Sequence, residues 1–62
     1  MTVEILGQRY PIRSNLDSSY VTQLAAYVDQ KMQVAGDRIA GGDSVRVAVL
    51  AALNIADEYF RL

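Results

Sequence analysis

The side chains that most often carry chemistry are missing from this chain, which holds no histidine and no cysteine among its 62 residues. Their absence removes the commonest general base and the commonest soft nucleophile, and leaves the hydroxyls with nothing nearby in sequence to activate them. It also removes disulfides, thiolate zinc sites and mixed Cys/His clusters, and suits a reducing cytoplasm. Asp57 and Glu58 are adjacent on a helical pattern, so their carboxylates diverge and read as a solvated face. The segment Gly36-Asp37-Arg38-Ile39-Ala40-Gly41 has the G-x-x-x-x-G spacing of a phosphate loop. However, Gly42 stands where the lysine is needed and Asp43 where the Ser/Thr is needed, and a carboxylate at that helix start repels phosphate. No acidic cluster has the spacing of a calcium loop. The expectation is a protein that is not an enzyme and takes no metal and no cofactor.

Charge excludes a further class. Six basic residues are set among seven acidic ones for a net charge of −1, with a pI near 5.0. Nucleic-acid binding is driven by Lys and Arg displacing counterions. A small DNA-binding protein using Arg9 and Arg13 on a β-ribbon is therefore disfavoured, and no nucleic-acid partner is expected. The start Met1-Thr2-Val3-Glu4 lacks the charged opening and apolar core of a signal peptide. The longest uninterrupted apolar run, Val47 to Leu53, is far short of the ~20 residues that span a bilayer. The expectation is a soluble, cytoplasmic protein with no membrane partner.

What remains is a set of elements. Residues 2–14 read as a β-hairpin, Val3 and Ile5 alternating with Thr2 and Glu4, and Tyr10 and Ile12 alternating with Arg9, Pro11 and Arg13. Gly7-Gln8 is the expected turn, with glycine first as type II′ requires. Pro11 interrupts one side of the second strand. Two strands alone are marginal in water, so the Val3, Ile5, Tyr10, Ile12 face must lean on helices. A first helix opens with Asp17 as cap and Leu16 and Val21 at the spacing of a hydrophobic staple. Its apolar stripe is Val21, Leu24, Ala25, Val28, Met32 and Ala35; Thr22, Gln23, Asp29, Gln30 and Gln33 fall opposite, and Gly36 is the expected stop. Tyr20, Tyr27 and Lys31 share one flank and read either as snorkelling side chains at the edge of a core or dimer seam or as a partner contact. Residues 36–42 form the connection, with Arg38, Ile39 and two glycines, and Asp43 or Ser44 caps a second helix. The fold class is α+β, ordered ββαα, in one domain over residues 1–62.

The second helix is the most informative element. Arg46, Asn54, Asp57, Glu58 and Arg61 occupy about a third of its circumference at ~100° per residue; Val, Ala, Leu, Ile and aromatics fill the rest. A helix this apolar is buried on most sides, and only a hairpin and one helix precede it. A domain of this size needs another source of stability when its core is thin, and with no disulfide or metal available a second copy of the chain is the remaining cover. The expected dimer faces are Val28 and Met32 on the first helix with Val49, Ala52, Leu53, Ala56 and Phe60 on the second. Leu50 projects into the middle of the polar stripe, one turn from Arg46 and one from Asn54, with Val47 near its edge. It reads either as an ordinary lone surface residue or as the anchor of a small protein-binding patch with Arg46 beside it, extended by Arg38 and Ile39.

The stretch Val-Arg-Val-Ala-Val-Leu-Ala-Ala-Leu-Asn-Ile-Ala-Asp-Glu-Tyr-Phe-Arg-Leu at positions 45–62 resembles the signature of the ZapA family of bacterial cell-division proteins. Thr2 to Ser14 resembles that family's opening hairpin and Leu24 to Met32 its first helix, so the likeness covers nearly the whole chain. The resemblance implies a head domain that dimerises, binds the tubulin-like division GTPase FtsZ at the midcell division ring and promotes lateral association of its filaments. It further implies a second helix continuing into a coiled coil through which dimers join as a tetramer. In the family, FtsZ contact is attributed to basic residues at the hairpin turn and around the connection, and to an apolar residue just before the Ala-Ala-Leu-Asn element. The matching positions here are Arg9, Arg38, Arg46 and Leu50; directly after Gly7 stands Gln8 rather than a basic residue. The chain then reads as a head domain or a short family member. The alternative to FtsZ binding is a pure oligomerisation module with no FtsZ contact of its own.

Overall fold

A computed structural model describes residues 1–39 and 43–62. The elements follow the order β1 (Thr2–Ile5), β2 (Gln8–Pro11), α1 (Ser18–Arg38) and α2 (Ser44–Arg61), the expected α+β, ββαα arrangement. They form two compact units, Met1–Gln30 and Lys31–Leu62.

In the first unit, β1 and β2 pair antiparallel with Val3 opposite Tyr10, Glu4 opposite Arg9 and Ile5 opposite Gln8. The two-residue turn is thus Leu6-Gly7, one position earlier than the expected Gly7-Gln8. Both turn residues have positive φ, 52° at Leu6 and 74° at Gly7, the signature of type I′ rather than II′. The correction leaves the inward face intact: moving the turn by one residue slides the partner strand by two, and side chains alternate with period two. Val3 is buried and Ile5 and Ile12 are half-buried, while Tyr10 stays exposed. Reciprocal bonds between Met1 and Ile12 continue the ladder, at 2.7 and 3.1 Å. Thr2 and Pro11 then fall at a non-hydrogen-bonded pair, so the missing proline N–H faces away from β1 and leaves the ladder whole.

Helix α1 begins at its expected cap. The Asp17 carboxylate accepts from the Ser19 N–H at 3.2 Å and from the Ser19 hydroxyl, while its carbonyl accepts from the Val21 N–H at 3.0 Å. The Ser19 hydroxyl, followed by the Tyr20 and Ser19 backbone, holds the Asp17 pKa below its ordinary value of 3.8. Val21 is buried, whereas Leu16 remains exposed.

In the second unit the helix does not stop at Gly36 but runs on to Arg38. Ala35 is fully enclosed, packed with Val47 and Ala51 of α2, and a Cβ placed on Gly36 would stand 4.0 Å from Val47 Cγ1. Tertiary packing on these small residues outweighs the local tendency of glycine to end a helix. The Ile39 N–H closes the end on the Gly36 carbonyl at 3.3 Å. Arg38 consequently sits in the last helical turn, favourable for a cation at the negative end of the dipole, rather than in the connection. Gly41 and Gly42, expected in that connection, lie outside the described residues. Of the two candidate caps for α2, Asp43 takes the role: its carboxylate accepts from the Arg46 N–H at 2.8 Å.

Candidate functional site

Helix α2 faces its own chain with a side that the sequence pattern points elsewhere. Val47 and Ala51 are buried, and Leu50 and Met32 pack against the Ala35–Val47–Ala51 cluster. Asn54 and Glu58 on the same side are half-buried. Two expectations are corrected here. Leu50 is not a fully exposed member of a polar stripe, because α2 uses that side to meet the end of α1. Glu58 is not on a solvated face: it forms an ion pair with Lys31 of α1, which satisfies both groups as they lose part of their water. Asp57 and Arg61 do lie exposed, paired at i,i+4 with 3.1 Å between Nε and Oδ1.

The opposite side of α2 is left outward and apolar. Val45 is 72% exposed, Val49 56%, Leu53 62% and Phe60 82%, with Ala52 and Ala56 exposed between them. Spacings of four, three and four from Val49 through Leu53 and Ala56 to Phe60 make a stripe of the kind that seams two helices. Tyr59 and Phe60 meet edge to face at its end, centroids 5.5 Å apart and planes at 65°, so the last turn presents a stiff aromatic pair. All five dimer-face residues expected on α2 are therefore outward. Of the two on α1, Val28 is half-buried in the first unit and Met32 rests on its own chain's core.

The four residues matched to partner contact divide between the units. Arg9 lies exposed on β2 of the first, directly opposite Glu4. Arg38 ends α1 in the second, where Arg46 and Leu50 lie one turn apart on α2. Among the described residues the ion pairs engage Lys31 and Arg61, leaving Arg9, Arg38 and Arg46 exposed and outside any such pair. One residue the sequence reading missed is Asp29. Set on the polar face by periodicity, it is half-buried and accepts the Leu6 N–H at 2.7 Å; only a positive φ at a non-glycine residue flags the site, and sequence does not display that.

Among the described residues there is no group of His, Cys, Asp and Glu able to hold a metal ion, and no helix is long and apolar enough to cross a membrane. The profile of one family, Cell division protein ZapA, matches residues 1–62. The chain belongs to the ZapA family. A protein named cell division protein ZapA from Shouchella clausii is 44% identical over 61 residues, covering 98% of this chain and 78% of the relative. Relatives of the same name from Bacillus thuringiensis and Bacillus anthracis are 36% identical over 62 residues, covering all of this chain and 70% of theirs. No solved structure matches the chain. ZapA membership gives it a role in cell division.

Proposed function

We propose that residues 1–62 form a single ZapA head domain, a non-enzymatic assembly factor of the cytoplasm that dimerises through the outward face of α2, binds FtsZ filaments and promotes their lateral association at the midcell division ring. The observation that carries the reading is the pair of apolar sides on α2. Val47, Leu50 and Ala51 serve the chain's own core, and Val45, Val49, Leu53 and Phe60 are left to water. A second copy presenting the same stripe about a two-fold axis covers it with Val49, Ala52, Leu53, Ala56 and Phe60 at the seam; Val28 and Met32 of α1 are proposed as further dimer contacts. Arg9, Arg38 and Arg46, outside the ion pairs found among the described residues, supply charge for an acidic filament surface, and the exposed part of Leu50 supplies an apolar contact beside Arg46. The mechanism is avidity: a weak contact per head gains effective concentration when heads are joined, so bundling rises with valence and most of all in a tetramer built through a following coiled coil.

Sedimentation equilibrium of the chain, followed by pelleting with polymerised FtsZ, tests both halves. The reading expects a dimer, cosedimentation at micromolar protein, and weaker bundling than by a version extended with a coiled coil. A stable dimer that fails to pellet with FtsZ returns the pure oligomerisation module, and a monomer at all accessible concentrations removes the proposal altogether.

A further inference from the structure

The hairpin is held to α1 by little packing. Of its described residues Val3 alone is buried, and between β1 and the helix lies an open cleft of about 260 Å³ lined by Thr2, Val3, Glu4, Thr22, Ala25, Ala26 and Asp29. A two-stranded hairpin with so thin an apolar face is marginal on its own. Its turn is also strained. Leu6 sits at φ 52°, a left-handed conformation that a branched hydrophobic side chain rarely takes and that persists only when its surroundings impose it. The surroundings are visible: Asp29 Oδ1, 23 residues along the chain, accepts the Leu6 N–H at 2.7 Å, short for a backbone donor and charge-assisted.

We infer that Asp29 is a positioning residue, a latch that clamps the strained Leu6-Gly7 turn onto α1 and so fixes the orientation of β2 and of Arg9, three residues beyond Leu6. The inference about the latch stands on the hydrogen bond and the turn alone; its consequence for FtsZ rests on the function proposed above for Arg9. Because the turn is of two residues, Gln8 pairs at once with Ile5, and nothing between the latch and Arg9 is long enough to absorb a change of angle. The chemistry at position 29 is acceptance by an oxygen, which asparagine keeps and alanine loses. The cost at position 6 is backbone strain, which glycine removes.

Five variants of the chain test it: Asp29→Ala, Asp29→Asn, Leu6→Gly and the double Asp29→Ala/Leu6→Gly, each read by amide hydrogen exchange at Leu6, Gln8 and Tyr10 and by pelleting with FtsZ polymers, and Arg9→Ala, read by pelleting. Asp29→Ala is expected to speed exchange at Leu6 and along β2 by about ten-fold or more, Asp29→Asn to restore most of the protection, and Leu6→Gly to return part of it to the double variant by relieving the strain. Where the unaltered chain pellets with FtsZ, Asp29→Ala weakens pelleting as Arg9→Ala does and Asp29→Asn recovers it. Unchanged exchange in Asp29→Ala, or an asparagine variant as exposed as the alanine one, overturns the latch. Altered exchange with FtsZ pelleting untouched overturns its link to Arg9. An unaltered chain that does not pellet at all is the failure of the proposed function, and leaves the exchange data to decide the latch.

Discussion

Replacing Leu53 by aspartate on the outward side of α2 tests the proposed interface apart from the core, because Leu53 is 62% exposed while Val47, six residues earlier on the other side of the helix, is 6% exposed. Fully burying a large aliphatic or aromatic side chain is worth about 2 kcal/mol. Scaled by the exposed fractions of Val49 (56%), Leu53 (62%) and Phe60 (82%), these three side chains offer about 4 kcal/mol per protomer, or about 8 for a symmetric pair. Association costs at least about 4 kcal/mol in lost freedom, so the margin is small and the central residue matters. Leu53→Asp forfeits about 1.2 kcal/mol of burial in each copy and places two carboxylates at the middle of the seam, where desolvation and mutual repulsion add more. A combined loss of about 4 kcal/mol is a weakening of self-association by about 1,000-fold. Sedimentation equilibrium across a dilution series reads the change, and far-ultraviolet circular dichroism at each concentration follows the helices. A Leu53→Asp chain that dimerises as tightly as the unaltered one refutes the assignment of this face, and so does an Asp57→Ala chain, altered on the charged margin, that loses the dimer equally.

Three further outcomes follow from the same geometry. Gly36→Ala is expected to raise stability by about 0.5–1 kcal/mol, since the position is helical, φ is not positive, and the added methyl meets Val47 at an ordinary contact distance of 4.0 Å; urea denaturation measures it, and a lower midpoint would falsify the account of the packing there. Leu50→Ala is expected to cost about 1–2 kcal/mol of stability, part of the full cost of a buried leucine because the side chain is half-buried against Ala35, Val47 and Ala51. An unchanged urea midpoint with weakened FtsZ pelleting would make it a pure surface contact. Asp17, whose pKa is lowered chiefly by the Ser19 hydroxyl, binds its proton less readily folded than unfolded. Its stabilising effect is present above its ordinary value of 3.8 and fades as the pH falls below that toward the lower folded value, so melting temperatures should drop as the pH falls below about 4. An Asp17→Asn chain should show a smaller drop, and an equal drop would assign the acid sensitivity elsewhere.

Local pattern and composition determined much of this protein. A chain without histidine and cysteine lacks the commonest general base and the commonest soft nucleophile whatever its fold, and the order ββαα followed from a period of two around Gly7 and a period near 3.6 from Val21 onward. The caps at Asp17 and Asp43 were legible because a carboxylate accepting backbone N–H groups is an interaction within a few residues. The excess of apolar surface on α2 was legible too, since it is a property of the segment and not of its neighbours. Tertiary structure alone decided which apolar side of that helix meets the chain itself. Periodicity ranks positions by hydropathy, but small residues choose the contact, and the fit of Ala35 and Gly36 against Val47 and Ala51 turned Leu50 and Glu58 inward and left Val49, Leu53 and Phe60 outward. The register of the hairpin was beyond the sequence for the same kind of reason. Either turn keeps Val3 and Ile5 on one face, and the choice went with an oxygen on Asp29, far along the chain, that receives the N–H of a strained Leu6.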